Sequence, residues 1–258
     1  MASESVLPSA AGPRSVDAGR GLAWLTEAWR LFAQSPGVWI LVVLILFAIN
    51  VVLAFIPLAG YLGTQVLFPV FAGGLMLGCR AMDRGGKFTV PHLFAGFGER
   101  AGSLFVVGLI YTALALAIMV VVVGVLFILF GAAVITEIWK LDDPLTGATL
   151  LAGAFSAVMV GALLFLLLYL PLVMAIWFAP ALVVLKGAEP LQAMRLSLSG
   201  CAKNILPFLI YGLIWMILAF VATLPLMLGW LVLGPVTIAS VYTSYCDIYE
   251  DELAPPAN

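Results

Sequence analysis

Four long stretches of the chain contain no Asp, Glu, Lys or Arg: 31–79, 101–136, 144–185 and 204–246. Each exceeds the roughly 20 residues that carry a helix across about 30 Å of hydrocarbon at about 1.5 Å per residue. The pattern predicts an all-α integral membrane protein. The first stretch is too long for one helix and breaks at Ile56-Pro57-Leu58-Ala59-Gly60, because neighbouring Pro and Gly punctuate helices. Spans are expected over 37–56 and 60–81. The last stretch breaks in the same way between Leu224-Pro225 and Gly229. The middle two are separated by Glu137-Ile138-Trp139-Lys140-Leu141-Asp142-Asp143-Pro144, a polar turn. No polar turn divides 144–185, which is expected to be one long helix kinked at Pro171 or Pro180 and running past the bilayer. Six spans with both termini on one side follow.

A short amphipathic segment precedes each pair of spans. In Gly21–Gln34, Leu22, Leu25, Trp29 and Phe32 are expected on one face, with Glu27, Arg30 and Gln34 opposite, as in a helix lying in the membrane interface. The counterparts are Pro91–Arg100, weakened by glycine, and Glu189–Leu198, with Pro190 in a first turn that tolerates it. The expected fold is three helical hairpins, each preceded by a short cytoplasmic interfacial helix, within one six-span transmembrane domain, 20–250. Residues 1–19 and 251–258 are expected to be disordered cytoplasmic tails. Proline spacing suggests three repeats, 20–88, 90–187 and 188–250, though Pro and Leu are common enough in such helices for chance to produce the same phase.

Charge then orients the chain. Ten of its 11 basic residues fall between or beside the apolar runs on one side of the membrane: Arg14, Arg20, Arg30, Arg80, Arg84, Lys87, Arg100, Lys186, Arg195 and Lys203. Only Lys140 falls on the other. Cytoplasmic loops carry the excess of Lys and Arg, so both termini are expected in the cytoplasm. With 64% hydrophobic and 9% charged residues, a soluble domain is excluded, since such domains are about a quarter charged. The basic groups are too short and too mixed with acids to recruit nucleic acid. Met1–Gly19 has no apolar core and is not expected to be a cleavable signal peptide. Cys79, Cys201 and Cys246 form no CxxC pair and are expected to be reduced, small helix residues.

The run Leu191–Phe208, with Ala193, Arg195, Ser197, Lys203-Asn204 and Pro207, resembles a helix-then-span signature. It is similar to that of uncharacterised six-helix bacterial inner-membrane proteins, related to YciC-like proteins and to the membrane domain of some glycerophosphodiester phosphodiesterases. The resemblance covers one unit well and the others loosely. It implies a six-span helical fold in the bacterial inner (plasma) membrane and no established activity. The phosphodiesterase domain itself has no counterpart in this sequence.

Candidate chemistry is sparse. Ion-coupled transport generally needs a titratable intramembrane group, and the spans offer none. The lone His92, just after Pro91, reads as an interfacial or capping residue in preference to a ligand or base. No catalytic, cofactor or metal-binding motif is found. The candidate intramembrane polar contacts are Asn50, Gln65, Asn204, Ser240 and Thr243. They serve either as interhelical hydrogen bonds or as the lining of a neutral ligand pocket, and Asn50 is expected near mid-depth, where an unpartnered amide is costly. Arg30, Arg80, Arg84, Lys87, Arg100, Lys186, Arg195 and Lys203 form a candidate rim for anionic lipid headgroups, a membrane-protein partner or a second copy of the chain. Two small-residue stripes, Gly74-x-x-x-Gly78 and Gly153-x-x-x-Ala157-x-x-x-Gly161, predict close helix approach to another span or another protomer. The leading expectation is a non-enzymatic scaffold or a partner- or lipid-binding module. A permease or channel for a neutral or lipid-like solute is the alternative.

Overall fold

The structure, a computed structural model, describes residues 12–131, 135 and 146–250. Among them the elements are α1 (Arg20–Gln34), α2 (Pro36–Ala54), α3 (Ala59–Asp83), a 3₁₀ segment (Val90–Phe97) and α4 (Ala101–Leu126), which widens into a π-helical turn at Phe127–Gly131. Next come α5 (Thr146–Trp177), α6 (Ala179–Lys186), α7 (Pro190–Lys203), α8 (Ile205–Thr223) and α9 (Trp230–Tyr249). Six helical runs are long and apolar enough to cross a bilayer: Pro36–Ala54, Ala59–Asp83, Ala101–Gly131, Gly147–Lys186, Ile205–Thr223 and Trp230–Tyr249. The expected polar turn at 137–144, the tail at 251–258 and residues 1–11 lie outside the described residues.

The chain forms two compact units, one from Met1–Gly108 with Met174–Asn258 and the other from Leu109–Val173. In the first, α1 packs on α8 and α9, and α3 is flanked by the 3₁₀ segment and α6. In the second, the Tyr111 and Tyr169 hydroxyls lie 2.5 Å apart, and the Phe165 and Tyr169 rings stack at 4.8 Å.

The long run 144–185 crosses as one span but breaks at Phe178, just before Pro180. Proline has no N–H and its ring crowds the carbonyl four residues back, so the helix must restart. Ser197 of α7 repairs the break. Its hydroxyl accepts from the Phe178 N–H at 2.9 Å and donates to the Met174 carbonyl at 2.6 Å. Pro171, the other candidate kink, stays inside α5.

One expected interfacial feature is refined and one changes. The buried face of α1 is Gly21, Trp24, Leu25, Ala28, Leu31 and Phe32. Of the expected apolar face, Leu25 and Phe32 pack against protein, while Leu22 and Trp29 are 50% and 52% exposed, open to an interfacial position. Gly21 and Ala28 set the orientation by allowing close approach; a Cβ on Gly21 would sit 2.3 Å from the Pro207 carbonyl oxygen. Trp24 is thereby drawn fully inside, against Phe208 at 5.1 Å. The segment after Pro91 is 3₁₀ and not α-helical. Its start is closed by a capping box in which the Thr89 N–H donates to His92 Nδ1 at 3.0 Å. His92 is a capping residue.

Part of the expected N-terminal tail is also placed. The Arg14 N–H donates to the Ile248 carbonyl at 3.0 Å and the Val16 N–H to Asn204 Oδ1 at 2.8 Å, with Pro13 buried. A Ser/Ala/Gly/Pro-rich strap has little apolar surface to hold it, so its backbone is held by the unsatisfied groups at helix ends.

Candidate functional site

The polar groups of the first unit converge where α9 ends. Ser240, Thr243, Ser244 and Asp247 follow the i, i+3, i+4, i+7 spacing that puts them on one helix face. Ser240 lies 2.8 Å from the Tyr211 hydroxyl of α8, and Thr243 donates to the Trp24 carbonyl of α1 at 3.0 Å. Thr237, one turn earlier, accepts from the Trp215 indole at 2.8 Å. Each contact ties α9 to a neighbour.

Asp247 completes the stripe. Its carboxylate accepts from Arg20 Nε at 2.5 Å, from Arg20 Nη2 at 2.7 Å and from Trp24 Nε1 at 2.6 Å. Arg20 continues to Glu27 Oε1 at 2.9 Å, and the Arg14 guanidinium donates to the Asp247 backbone carbonyl. Hydrogen bonding to Asp247 raises the Arg20 pKa further above its ordinary value. Burial lifts the Glu27 carboxyl above its ordinary range against the opposing pull of Arg20. The fork-to-carboxylate arrangement is the strong form of ion pair, moderated by water because the Arg20 side chain is about one-third exposed.

A second set lies at the ends of α3, α6 and α9. Arg80 pairs with Glu250 and reaches the Leu185 carbonyl at 3.4 Å. Lys186 donates to the Tyr249 carbonyl and sits 5.8 Å over that ring. A cation at these last-turn carbonyls also meets the negative end of the helix dipole. The Tyr242 hydroxyl donates to Asp83 at 2.9 Å.

The candidate basic rim therefore divides. Arg80, Lys186 and Lys203 are engaged by the protein, Lys203 through the Pro13 carbonyl at 3.0 Å. Lys186 and Lys203 are nonetheless exposed, as are Arg30, Arg84, Lys87, Arg100 and Arg195.

The candidate polar contacts divide too. Asn204 is fully buried between α7 and α8, accepting from Val16 and donating to the Arg14 and Gly200 carbonyls, both at 2.9 Å. Ser240 and Thr243 are buried as above, and Gln65 is half-buried on α3. Asn50 departs from expectation. It lies in the last turns of α2, exposed, with its amide donating to its own helix at Leu46 O, 2.8 Å away. An amide at that position is satisfied by the carbonyl four residues back and needs no partner helix.

Of the small-residue stripes, Gly74 and Gly78 receive the 3₁₀ segment and Phe88, so their neighbour is a connecting segment and not a span. In the second stripe Gly161 meets Leu126, while Gly153 faces open space. The three cysteines are free. Burial pushes the Cys201 thiol up to about 12, so it stays protonated at neutral pH.

Asn204→Ala should release the N-terminal strap. Three hydrogen bonds end on that amide, and its loss leaves the Val16 N–H without its acceptor, so a cost of about 2 kcal/mol is expected. Hydrogen–deuterium exchange at 14–19 should rise while α3 stays protected; unchanged exchange there would refute the role given to Asn204.

No family model matches the chain, and no solved structure does. The chain is similar to a probable inner membrane protein of Burkholderia thailandensis, 27% identical over 91% of this chain and 90% of that one. With six spans of sufficient length and hydropathy, the chain is an integral, polytopic membrane protein in contact with the lipid bilayer.

Proposed function

We propose that this is a non-enzymatic bacterial inner-membrane scaffold whose cytoplasmic end docks on anionic lipid headgroups. One observation carries the reading: Arg30, Arg84, Lys87, Arg100 and Arg195 stay exposed, while Arg20 and Arg80 are held in ion pairs with Asp247, Glu27 and Glu250. A Lys or Arg near an anionic leaflet contributes about 1 kcal/mol of attraction, falling off within a Debye length. The same basic excess supports cytoplasmic termini, and the similarity to an inner membrane protein supports the compartment. The resemblance of Leu191–Phe208 to the six-helix family stands as part of this proposal.

A permease for a neutral or lipid-like solute would draw on Asn50, Gln65 and the hydroxyls of α9. Those hydroxyls are bonded to Trp24, Tyr211 and Trp215, which favours the scaffold.

Native mass spectrometry of protein extracted in mild detergent tests the proposal. The combined Arg84→Gln, Lys87→Gln, Arg100→Gln, Arg195→Gln variant should retain at least about tenfold less phosphatidylglycerol and cardiolipin, from several contributions of about 1 kcal/mol. Its retention of phosphatidylethanolamine should not change. Equal retention of anionic lipid by both proteins would remove the lipid-docking reading.

A further inference from the structure

The turns at the far ends of two hairpins, opposite the charged cluster, have the wrong chemistry for water. Turns in water favour polar Asn, Asp and Ser beside Gly and Pro; apart from Pro57, Pro225 and Gly229, these turns carry only large apolar residues. Here α2 and α3 are joined by Phe55-Ile56-Pro57-Leu58, and α8 and α9 by Leu224-Pro225-Leu226-Met227-Leu228-Gly229. Leu226 is 90% exposed, Phe55 79% and Leu58 71%.

The backbone makes the choice of residues more telling. Leu58, Leu226 and Met227 have φ of 58°, 50° and 66°, a region in which a side chain crowds the backbone and where Gly or Asn costs least. Leu58 occupies the centre of a γ-turn of the strained hand, closed by the Ala59 N–H on the Pro57 carbonyl at 2.6 Å. Bulky apolar residues therefore sit where the backbone disfavours them, largely exposed. Burial in an apolar medium offsets that strain; contact with water adds to it.

Most N–H groups of the turns are also bonded internally, as hydrocarbon favours, with those of Leu58 and Gly229 the exceptions. The N–H groups of Leu224, Leu226, Met227, Leu228 and Trp230 all donate to carbonyls within the turn or the adjoining helix ends. The Trp230 indole donates to Thr223 Oγ1 at 3.2 Å, and Thr223 donates to Ala219 O. In the first turn, Phe55, Ile56, Ala59 and Gly60 are likewise bonded. Depth agrees. The 19 residues of α8 rise about 28 Å from Asn204, short of a hydrocarbon core of about 30 Å. The phenol of Tyr61, next to the first turn, can reach headgroups while its ring stays apolar.

We propose that the turns Phe55–Leu58 and Leu224–Leu228 remain inside the hydrocarbon of the far leaflet, packed by lipid acyl chains. These two hairpins then present no aqueous loop, and their water-facing surface is confined to the charged end.

The test is a spin label at L226C, with the full chain reconstituted in vesicles of phosphatidylethanolamine and phosphatidylglycerol. The wild type, whose Cys79 and Cys201 are buried, sets the labelling background, and K87C is the aqueous control. At position 226, collisions with oxygen should exceed those with a water-soluble nickel chelate several-fold, and the ratio should reverse at position 87. Predominant nickel collisions at 226 would place the turn in water, and low collision rates for both would place it against protein; either overturns the proposal. Leu226→Asn supplies a second reading. It relieves the backbone, so it should raise Tm if the turn lies in water, whereas a lower Tm in the same vesicles is expected in hydrocarbon.

Discussion

Gly96→Ala is expected to destabilise the protein by about 4 kcal/mol or more and to leave little monodisperse material in detergent. A Cβ at this position would lie 1.9 Å from the Val70 carbonyl oxygen and 3.0 Å from the Gly74 nitrogen, both backbone atoms of α3. No rotamer change removes such a clash, so the 3₁₀ segment must lift off the helix. Lifting it also opens the Phe71 contacts with Phe94 and Phe97, at 6.1 and 5.5 Å, and the stack of Phe88 on Trp39 at 4.1 Å. Ordinary overpacking costs about 1–3 kcal/mol because side chains can yield; a backbone-on-backbone clash belongs to the exceptional tail of single substitutions. Gly74→Ala meets the same surface from the other side, 2.5 Å from the His92 carbonyl oxygen. The two changes should therefore be strongly non-additive. Gly102 faces open space in α4, so Gly102→Ala should be neutral or stabilising by up to about 1 kcal/mol. Thermal unfolding in detergent distinguishes these cases. Equal Tm shifts for Gly96→Ala and Gly102→Ala would mean that the close approach does not hold the segment.

The spans were legible because lipid imposes a simple demand: every side of a crossing helix must be apolar, so charges retreat to the ends. The same demand hides which side of a helix packs. Trp24 and Trp29 are equally apolar in sequence, yet Trp24 is fully buried and Trp29 half-exposed. The small residues Gly21 and Ala28 decide between them, and the apolar face read from the sequence did not separate the residues that pack on protein from those left exposed. The stripe Gly74/Gly78 correctly signalled a close approach, but the occupant is the 3₁₀ segment, which no small-residue pattern can name.

Polar contacts were legible in part for the same reason. Ser240, Thr243 and Asn204 were recognisable as groups that must be satisfied. The partner of Asn204 was not, because the strap at 13–16 docks through its backbone and carries no apolar signal. Asn50 was misplaced in depth: α2 ends at Ala54, which puts the amide one turn from the tip. The periodicity from Ser240 to Asp247 was present in the sequence and pointed to Asp247, whose partner Arg20 lies 227 positions away. Pairing at that separation follows from the fold alone.

That long-range pairing makes Asp247→Ala the second severe substitution, expected to cost about 3 kcal/mol. Three donors lose their acceptor at once: the two Arg20 nitrogens and the indole N–H of Trp24. Trp24 is fully buried, so its N–H has no ready access to replacement water, and an orphaned buried donor costs about 1–3 kcal/mol. The Arg20 part is smaller, because side-chain exposures of 35% and 18% across the pair let water screen it. A cycle of Arg20→Ala, Asp247→Ala and the double variant should accordingly give a coupling of about 1 kcal/mol, well below the total cost of removing Asp247. Asp247→Asn keeps an acceptor for the indole and should fall between wild type and alanine. The damage should be directional. Hydrogen–deuterium exchange should rise across 20–28, where α1 is held against the last span, while the interface of α3 with the 3₁₀ segment keeps its protection. A cost below about 1 kcal/mol would instead mark the network as a solvated surface pair. A uniform rise in exchange throughout the first unit would mean that Asp247 supports the whole bundle and not the seating of its first helix on its last.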